Sequence, residues 1–383
     1  MECDNFDNMN LKLELLRGIY ANGFEKPSNV QAQSILPMVS GRDIIVQESS
    51  GAGKTGAFTI STLQRVDESL KECQAIILSP TRELAIQTHK VISDLSRYMD
   101  ISCMLCIGKT SIQENIRQAK TSHIVVGTPG RIIDLIQSNH LDVKNLKMFV
   151  LDEADDLLSS GNNAGIGFLD QTKDLLHLLP GTCQIALFSA TMPVEMLDIT
   201  KNFMDNPLEF LKAKNHLTLE GIKQYYINVE SEDYKFDTLM DLYSSIAISQ
   251  AIIYVNTKKR VLSLAKRLEE NEHIIACIHG DMDQQERNEI MYNFRNGNSR
   301  ILITTNLLAR GIDIQQISLV INYDLPHDKE SYIHRIGRSG RFGRKGVSIN
   351  FITNRDVRQL RELESFYQTH IDELPADLEK IFI

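Results

Sequence analysis

The sequence predicts an α/β fold of two tandem domains, each a mostly parallel sheet with helices on both faces. Three observations predict it. Short runs rich in Val, Ile and Leu recur along the chain, each followed by a stretch of helix length, as in βαβ units buried on both sides. The chain has 383 residues, enough for two or three domains of ~150 residues. The alternation stops once, at the polar stretch 212–221 (KAKNHLTLEG), and then restarts. That stretch reads as a linker, so the expected division is 1–211, linker 212–221, and 222–383.

In the first part the expected buried strands are 43–47, 75–79, 102–107, 123–127, 148–151 and 184–189. Helix-length segments follow them, such as 82–96 and 194–203. In the second part the expected strands are 251–255, 274–278, 300–304, 319–322 and 347–352, with helices at 258–271 and 284–296 between them. The two halves are too dissimilar in sequence to read as a repeat. The stretch 160–167 (SGNNAGIG) is rich in Gly and Asn and reads as a surface loop. Residues 356–367 place Val357, Leu360, Leu363 and Phe366 at helical spacing, which suits a core-facing helix.

Composition excludes several classes. Hydrophobic residues are 42% and charged residues 24%, ordinary for a globular chain and unlike disordered or fibrous ones. No apolar run approaches the ~20 residues of a membrane span, and the acidic start (Glu2, Asp4, Asp7) lacks the order of a signal peptide. Six cysteines are too sparse for a disulfide framework, and Cys103 and Cys106 read as core residues of a strand. These features together read as a reduced, soluble, intracellular chain. The net charge of −9 argues against holding nucleic acid by bulk charge. One stretch departs from this: 334–346 (HRIGRSGRFGRKG) carries Arg335, Arg338, Arg341, Arg344 and Lys345 and no acid.

Three motifs carry chemistry. Directly after the first strand stand Glu48, Ser49, Ser50, Gly51, Ala52, Gly53, Lys54 and Thr55. Cradling phosphates needs backbone N–H groups that converge, and glycine permits the dihedrals; Lys54 then reaches the β/γ-phosphates and the Thr55 hydroxyl can bind Mg²⁺. Second, Asp152, Glu153, Ala154 and Asp155 follow the apolar run 148–151. An acidic tetrapeptide is by itself more often a solvated helix start. At the carboxyl end of a strand in the same sheet, Asp152 can hold Mg²⁺ and Glu153 can orient or deprotonate a water. Third, Arg335, Arg338 and Arg341 stand three apart, so that on a helix they would share one face. Planar guanidinium groups match charge building up on a transferring phosphoryl group, although such a face can equally bind RNA or stay solvated.

These strings resemble the DEAD-box family of RNA helicases over nearly the whole chain. FEKPSNVQ (24–31), PTRELA (80–85), TPGR (128–131), SAT (189–191), QQER (284–287), ARGID (309–313) and HRIGRSGR (334–341) stand in the family's order. The strings LTLEGIKQYYINVE, HGDMDQQER and LLARGIDIQQISLVINYDLP are similar to those of members acting in translation initiation, and exon-junction members share many of them. The resemblance implies two recA-like domains and an ATP-dependent, RNA-stimulated hydrolase that unwinds short RNA duplexes in messenger 5′ leaders. ATP and Mg²⁺ would be its cofactors, single-stranded and duplex RNA its substrates. It would be a cytoplasmic monomer working beside a scaffold subunit of the cap-binding complex. The alternative is an ATP-gated RNA clamp of the exon-junction type.

Residue by residue, the resemblance implies that Gln31, within an element including Phe24, reads the adenine edge while Phe6 stacks on the ring. Residues 48–55 would hold phosphates and Mg²⁺, and Asp313 would contact the ribose. Lys54, Asp152, Glu153, Arg338 and Arg341 would form the catalytic set, the two arginines as fingers that act when the domains close. Ser189, Thr191 and His334 would couple nucleotide state to RNA binding. Arg82, Gly108, Thr128, Arg131, Arg287, Thr305, Arg310 and Gly311 would line the RNA track, touching chiefly phosphate and 2′-hydroxyl groups. Five positions depart from the family pattern: Glu48 where Ala is usual, Ser49 and Ala52 in the phosphate loop, Lys109 in place of the second glycine of a pair, and Asn306 in place of Asp.

Overall fold

The computed structural model describes residues 4–160, 168–211, 222–245, 250–306, 317–339, 346–375 and 377. The chain divides into two compact units, Met1–Lys212 and Ala213–Ile383. The expected linker at 212–221 and the loop at 161–167 lie outside the described residues.

In the first unit a short 3₁₀ turn, Phe6–Met9, leads into α1 (Leu13–Ala21) and α2 (Asn29–Val39). Then come β1 (Ile44–Gln47), α3 (Lys54–Arg65), β2 (Ala75–Leu78), α4 (Arg82–Leu95), β3 (Cys103–Cys106), α5 (Ile112–Ala119), β4 (Ile124–Gly127) and α6 (Pro129–Gln137). β5 (Met148–Asp152), α7 (Ala154–Leu157), α8 (Leu169–Leu178), β6 (Gln184–Ser189), α9 (Val194–Thr200) and β7 (Leu208–Phe210) complete it. The sheet runs β3-β4-β2-β5-β6-β1-β7 with every pairing parallel. Both faces are buried, and alternate residues of a strand enter different cores. Ile44, Val46, Ala75, Ile77, Met148 and Val150 face one cluster, whereas Ile45, Ile76, Leu78, Phe149 and Leu151 face the other. This explains the unbroken apolar runs in the sequence, since a strand covered twice has no polar side to show.

The second unit holds β8 (Ile222–Asn228), α10 (Lys235–Ser245), β9 (Ala251–Tyr254), α11 (Lys258–Glu270), β10 (Ile275–Ile278), α12 (Gln284–Arg295) and β11 (Ile301–Thr304). β12 (Leu319–Asn322), α13 (Lys329–Ile336), β13 (Gly346–Ile352), α14 (Val357–Tyr367) and β14 (Asp372–Glu373) follow. Its sheet runs β10-β11-β9-β12-β13-β8-β14, also parallel. Counted within each unit, both orders are third, fourth, second, fifth, sixth, first, seventh. Two halves without a readable sequence repeat therefore share one topology. α14 buries Leu360, Leu363 and Tyr367, while Val357 is 38% exposed, so the buried stripe ends on Tyr367. Among the described residues no helix is long and apolar enough to cross a membrane.

Candidate active site

Parallel register brings the ends of β1, β6 and β5 level. Gln47 pairs with Ser189, and Asp152 pairs with Phe188. The phosphate-loop candidate leaves β1, the Ser189–Thr191 segment leaves β6, and the carboxylates leave β5, so all three emerge together along one edge. The Glu48 amide donates to the Ser189 carbonyl at 3.0 Å, which ties the start of the loop to β6. Gly51 (φ 83°) and Gly53 (φ 103°) take left-handed backbone angles, where a β-carbon would be strained. Gly53 is also the N-cap of α3, so the loop feeds straight into that helix, with Lys54 and Thr55 in its first turn. Nζ of Lys54 donates to the carbonyls of Glu48 and of Ser49. Burial depresses its pKa, opposed by the carboxylates of Glu153 and Asp152. Glu48 folds over the loop, its Oε1 accepting from Ser49 N at 2.8 Å and Ser49 Oγ at 2.9 Å.

Asp152 is 3% exposed and its pKa is pushed up to about 8, by burial first and then by Glu153, with Lys54 opposing. Its Oδ1 accepts from the Glu153 amide at 3.1 Å, whereas Oδ2, and likewise Oε2 of Glu153, is buried with no hydrogen-bond partner. An orphaned buried carboxylate oxygen beside a phosphate loop has the chemistry a hard cation requires, so these residues fit Mg²⁺. Glu153 stands at φ 50°, ψ 56° as the N-cap of α7, a conformation that costs about 1–2 kcal/mol in a residue with a β-carbon. The turn directs α7 back over the sheet and brings Asp155 to β6. There Ser189 Oγ donates to Asp155 Oδ1 at 2.7 Å, Thr191 Oγ1 donates to Oδ2 at 2.5 Å, and Thr191 N donates to Ser189 Oγ at 3.2 Å. The sequence singled out Ser189 and Thr191 but gave Asp155 no role; it is the acceptor that joins them.

Gln31, in α2, is 3% exposed. Its Oε1 accepts from Ser28 N at 2.9 Å and its Nε2 donates to the Gly53 carbonyl at 3.2 Å. A β-carbon on Gly53 would lie 2.8 Å from Gln31 Nε2, and one on Gly56 would lie 2.6 Å from it and 3.2 Å from Phe24. The adenine-reading candidate is thus packed onto the phosphate loop itself. Phe6 is fully buried, in the cluster that also holds Met9, Leu15 and Ile19.

The RNA-track candidates of this unit occupy the other half of the same edge, at the ends of β2, β4 and β3. Arg82 opens α4, and Thr128 is the N-cap of α6. A β-carbon on Gly108 would come within 3.1 Å of Arg82 Nη2. Arg131 donates through Nη1 to Asn115 Oδ1 at 3.0 Å and to the Thr110 carbonyl at 3.2 Å. Asn115, which no motif flagged, is 4% exposed and anchors to the Leu105 carbonyl at 2.9 Å. Lys109 is exposed at φ 64°.

In the second unit Arg287 is buried and donates to the His279 and Gly280 carbonyls at 3.3 and 2.6 Å. Thr305 follows β11, and His334 is fully buried in α13. The expectation of three arginines on one helix face is corrected. α13 ends at Ile336 with Gly337 as its C-cap, so Arg338 lies beyond it, and Arg335 turns into the unit's own interior at 0% exposure. Arg338 is 2% exposed and donates through Nε to the His334 carbonyl at 3.1 Å. Arg310, Gly311, Asp313 and Arg341 lie outside the described residues.

Residues 28–199 match the model of the DEAD/DEAH box helicase, and residues 234–343 match that of the helicase conserved C-terminal domain. The ATP-dependent RNA helicase eIF4A of Schizosaccharomyces pombe is 54% identical over 98% of this chain and 94% of its own length. The chain belongs to the DEAD/DEAH box helicase family. As a member it is an ATP-hydrolysing enzyme. The eukaryotic initiation factor 4A of Caenorhabditis elegans is 53% identical over 98% of this chain and 92% of its own. Among solved structures, Saccharomyces cerevisiae Dbp5 bound to RNA and ADP BeF3 is similar, with a TM-score of 0.92, 36% identity and all of both chains covered. The helicase fold is therefore a pair of recA-like domains, as the strand orders indicate.

Proposed function

We propose that this chain is an ATP-dependent RNA helicase of translation initiation, unwinding structured messenger 5′ leaders beside a scaffold subunit of the cap-binding complex. The observation that carries the helicase reading is the single edge of the first unit shared by the phosphate loop, the Asp152–Glu153 pair and that unit's RNA-track candidates, Arg82, Gly108, Thr128 and Arg131. Asp155, two residues beyond Glu153, accepts from Ser189 and Thr191, so the turn that carries the carboxylates is tied to the end of β6. The names carried by the similar proteins favour initiation over the exon-junction clamp.

In this reading the loop amides, Lys54 and Thr55 grip the β/γ-phosphates, and Glu153 orients the attacking water or takes its proton. Asp152 and Thr55 would hold Mg²⁺, which would supply neutralising charge at the phosphates. Gln31 reads the adenine edge, Asp313 contacts the ribose, and Arg338 and Arg341 donate to the γ-phosphoryl group. His334 joins Ser189 and Thr191 in coupling nucleotide to RNA. RNA is gripped by Arg82, Gly108, Thr128, Arg131, Arg287, Thr305, Arg310 and Gly311 chiefly through phosphate and 2′-hydroxyl groups, with little sequence readout.

The test is phosphate release and displacement of a short RNA strand by the purified chain, with RNA or DNA as stimulant. RNA should stimulate release and ATP should drive displacement; Lys54→Ala should abolish turnover, and Arg338→Ala should lower it with nucleotide binding kept. A chain that retains RNA under ATP without displacing a strand, or that DNA stimulates equally, overturns the helicase reading. Arg338→Ala with parental turnover overturns the finger assignment.

A further inference from the structure

Among the described residues Arg335 is the largest fully buried side chain, and every acceptor its guanidinium meets there is neutral. Nε donates to Asn306 Oδ1 at 2.7 Å, Nη1 to Asn322 Oδ1 at 3.2 Å and to the Asp324 carbonyl at 2.7 Å, and Nη2 to Asn256 Oδ1 at 2.8 Å. Its far side rests on the Tyr254 ring, 5.1 Å from the centroid. A buried cation needs compensation beyond hydrogen bonds, and the carboxylate of Asp324, whose carbonyl Arg335 meets, is already engaged. Asp324 Oδ1 holds Lys235 at 3.2 Å and Arg260 at 3.0 Å, while Oδ2 accepts from Asn256 N at 3.0 Å.

A second carboxylate reaches Arg335 indirectly. Asn306 Nδ2 donates to Ser331 Oγ at 3.1 Å, and Ser331 Oγ donates to Asp328 Oδ2 at 2.8 Å. Asp328 Oδ1 also accepts from Ser331 N at 2.6 Å, making Asp328 the N-cap of α13. Donor and acceptor roles along this row leave one arrangement: guanidinium to amide oxygen, amide N–H to hydroxyl, hydroxyl to carboxylate. We propose that Arg335, Asn306, Ser331 and Asp328 form a positioning relay. It carries the countercharge of the buried arginine from a carboxylate left at the surface and pins both ends of α13 to the end of β11. The segment pinned leads directly to Arg338, and Asn306 directly follows Thr305, so the relay sets two functional segments in register. Keeping the carboxylate in water avoids its desolvation, while the polarised row transmits its field.

This inference rests on the reading that Arg338 serves ATP hydrolysis, and its test exchanges the charge between the two ends of the relay. Asn306→Asp sets two carboxylates competing for the one hydroxyl proton of Ser331. Asp328→Asn keeps a good helix cap and removes the countercharge. The double variant puts a carboxylate directly on Arg335 and an amide at the cap. Each single variant should lower RNA-stimulated kcat about 5-fold with KM for ATP held within about 2-fold, and the double variant should return to within about 2-fold of the parent. Losses that multiply in the double variant, or single variants with parental kcat, overturn the relay. A parent without RNA-stimulated turnover would instead sink the helicase reading. Thermal unfolding of the same four proteins would then decide the relay, coupled melting shifts supporting it and additive shifts overturning it.

Discussion

Ser189 donates its hydroxyl proton to Asp155 at 2.7 Å, and both side chains are buried. With the Thr191 bond, this one carboxylate fixes the segment after β6 to the helix after β5. An amide at position 155 has one acceptor oxygen for two hydroxyl donors, so Asp155→Asn leaves one buried hydroxyl unserved, at about 1–3 kcal/mol. The expected outcome is a melting temperature lower by several degrees, with strand displacement falling further than ATP turnover. Equal losses of displacement and turnover would show that the bridge does not couple them.

Asp152 makes the nucleotide-free protein pay for readiness. Its folded pKa lies above its unfolded value, because burial and then Glu153 disfavour the charged form. Below the ordinary carboxylate pKa of about 4 the group is protonated in both states and has no effect on stability. As pH rises toward about 8 the unfolded chain ionises first, and folding loses stability across that window. Asp152→Asn should therefore raise the melting temperature of the nucleotide-free protein at pH 8 by more than at pH 5. A difference that is flat between those two pH values would contradict the raised pKa.

Lys109 adds an exposed cation, at φ 64°, to the turn between Gly108 and Thr110, whose carbonyl Arg131 holds. If the turn meets an RNA phosphate, Lys109→Gly should make the fall of log K with log salt shallower by about 0.7. The same change should relieve left-handed strain and leave stability within about 1 kcal/mol of the parent. RNA titrations at several salt concentrations check it; parallel slopes for the two proteins would remove Lys109 from the track.

Much of this was legible without coordinates. The apolar runs at 44–47, 75–78 and 148–151 could only be strands buried on both faces, and the glycines of the phosphate loop announced a backbone that turns left-handed. What local sequence could not carry was position across the sheet. The run at 208–210 hid as a strand because it is a three-residue edge strand with an exposed Glu, and 222–228, second from the edge of its sheet, hid because it is only half-buried and mixes Lys, Gln and Tyr into its pattern. The spacing of Arg335 and Arg338 implied a shared face, yet the helix stops at Ile336 and Arg335 turns inward to an amide cage whose members are 13 to 79 residues distant.

Periodicity, turn chemistry and motif order determined the class of fold, the nucleotide loop and the family, because each is a property of neighbours along the chain. Tertiary structure alone decided that Asp155 receives Ser189 and Thr191, that Gln31 rests on Gly53, and that Arg335 reaches Asp328 through two neutral side chains. Those are matches between donors and acceptors brought together only when parallel strands come into register, and no stretch of sequence encodes which partner will stand opposite.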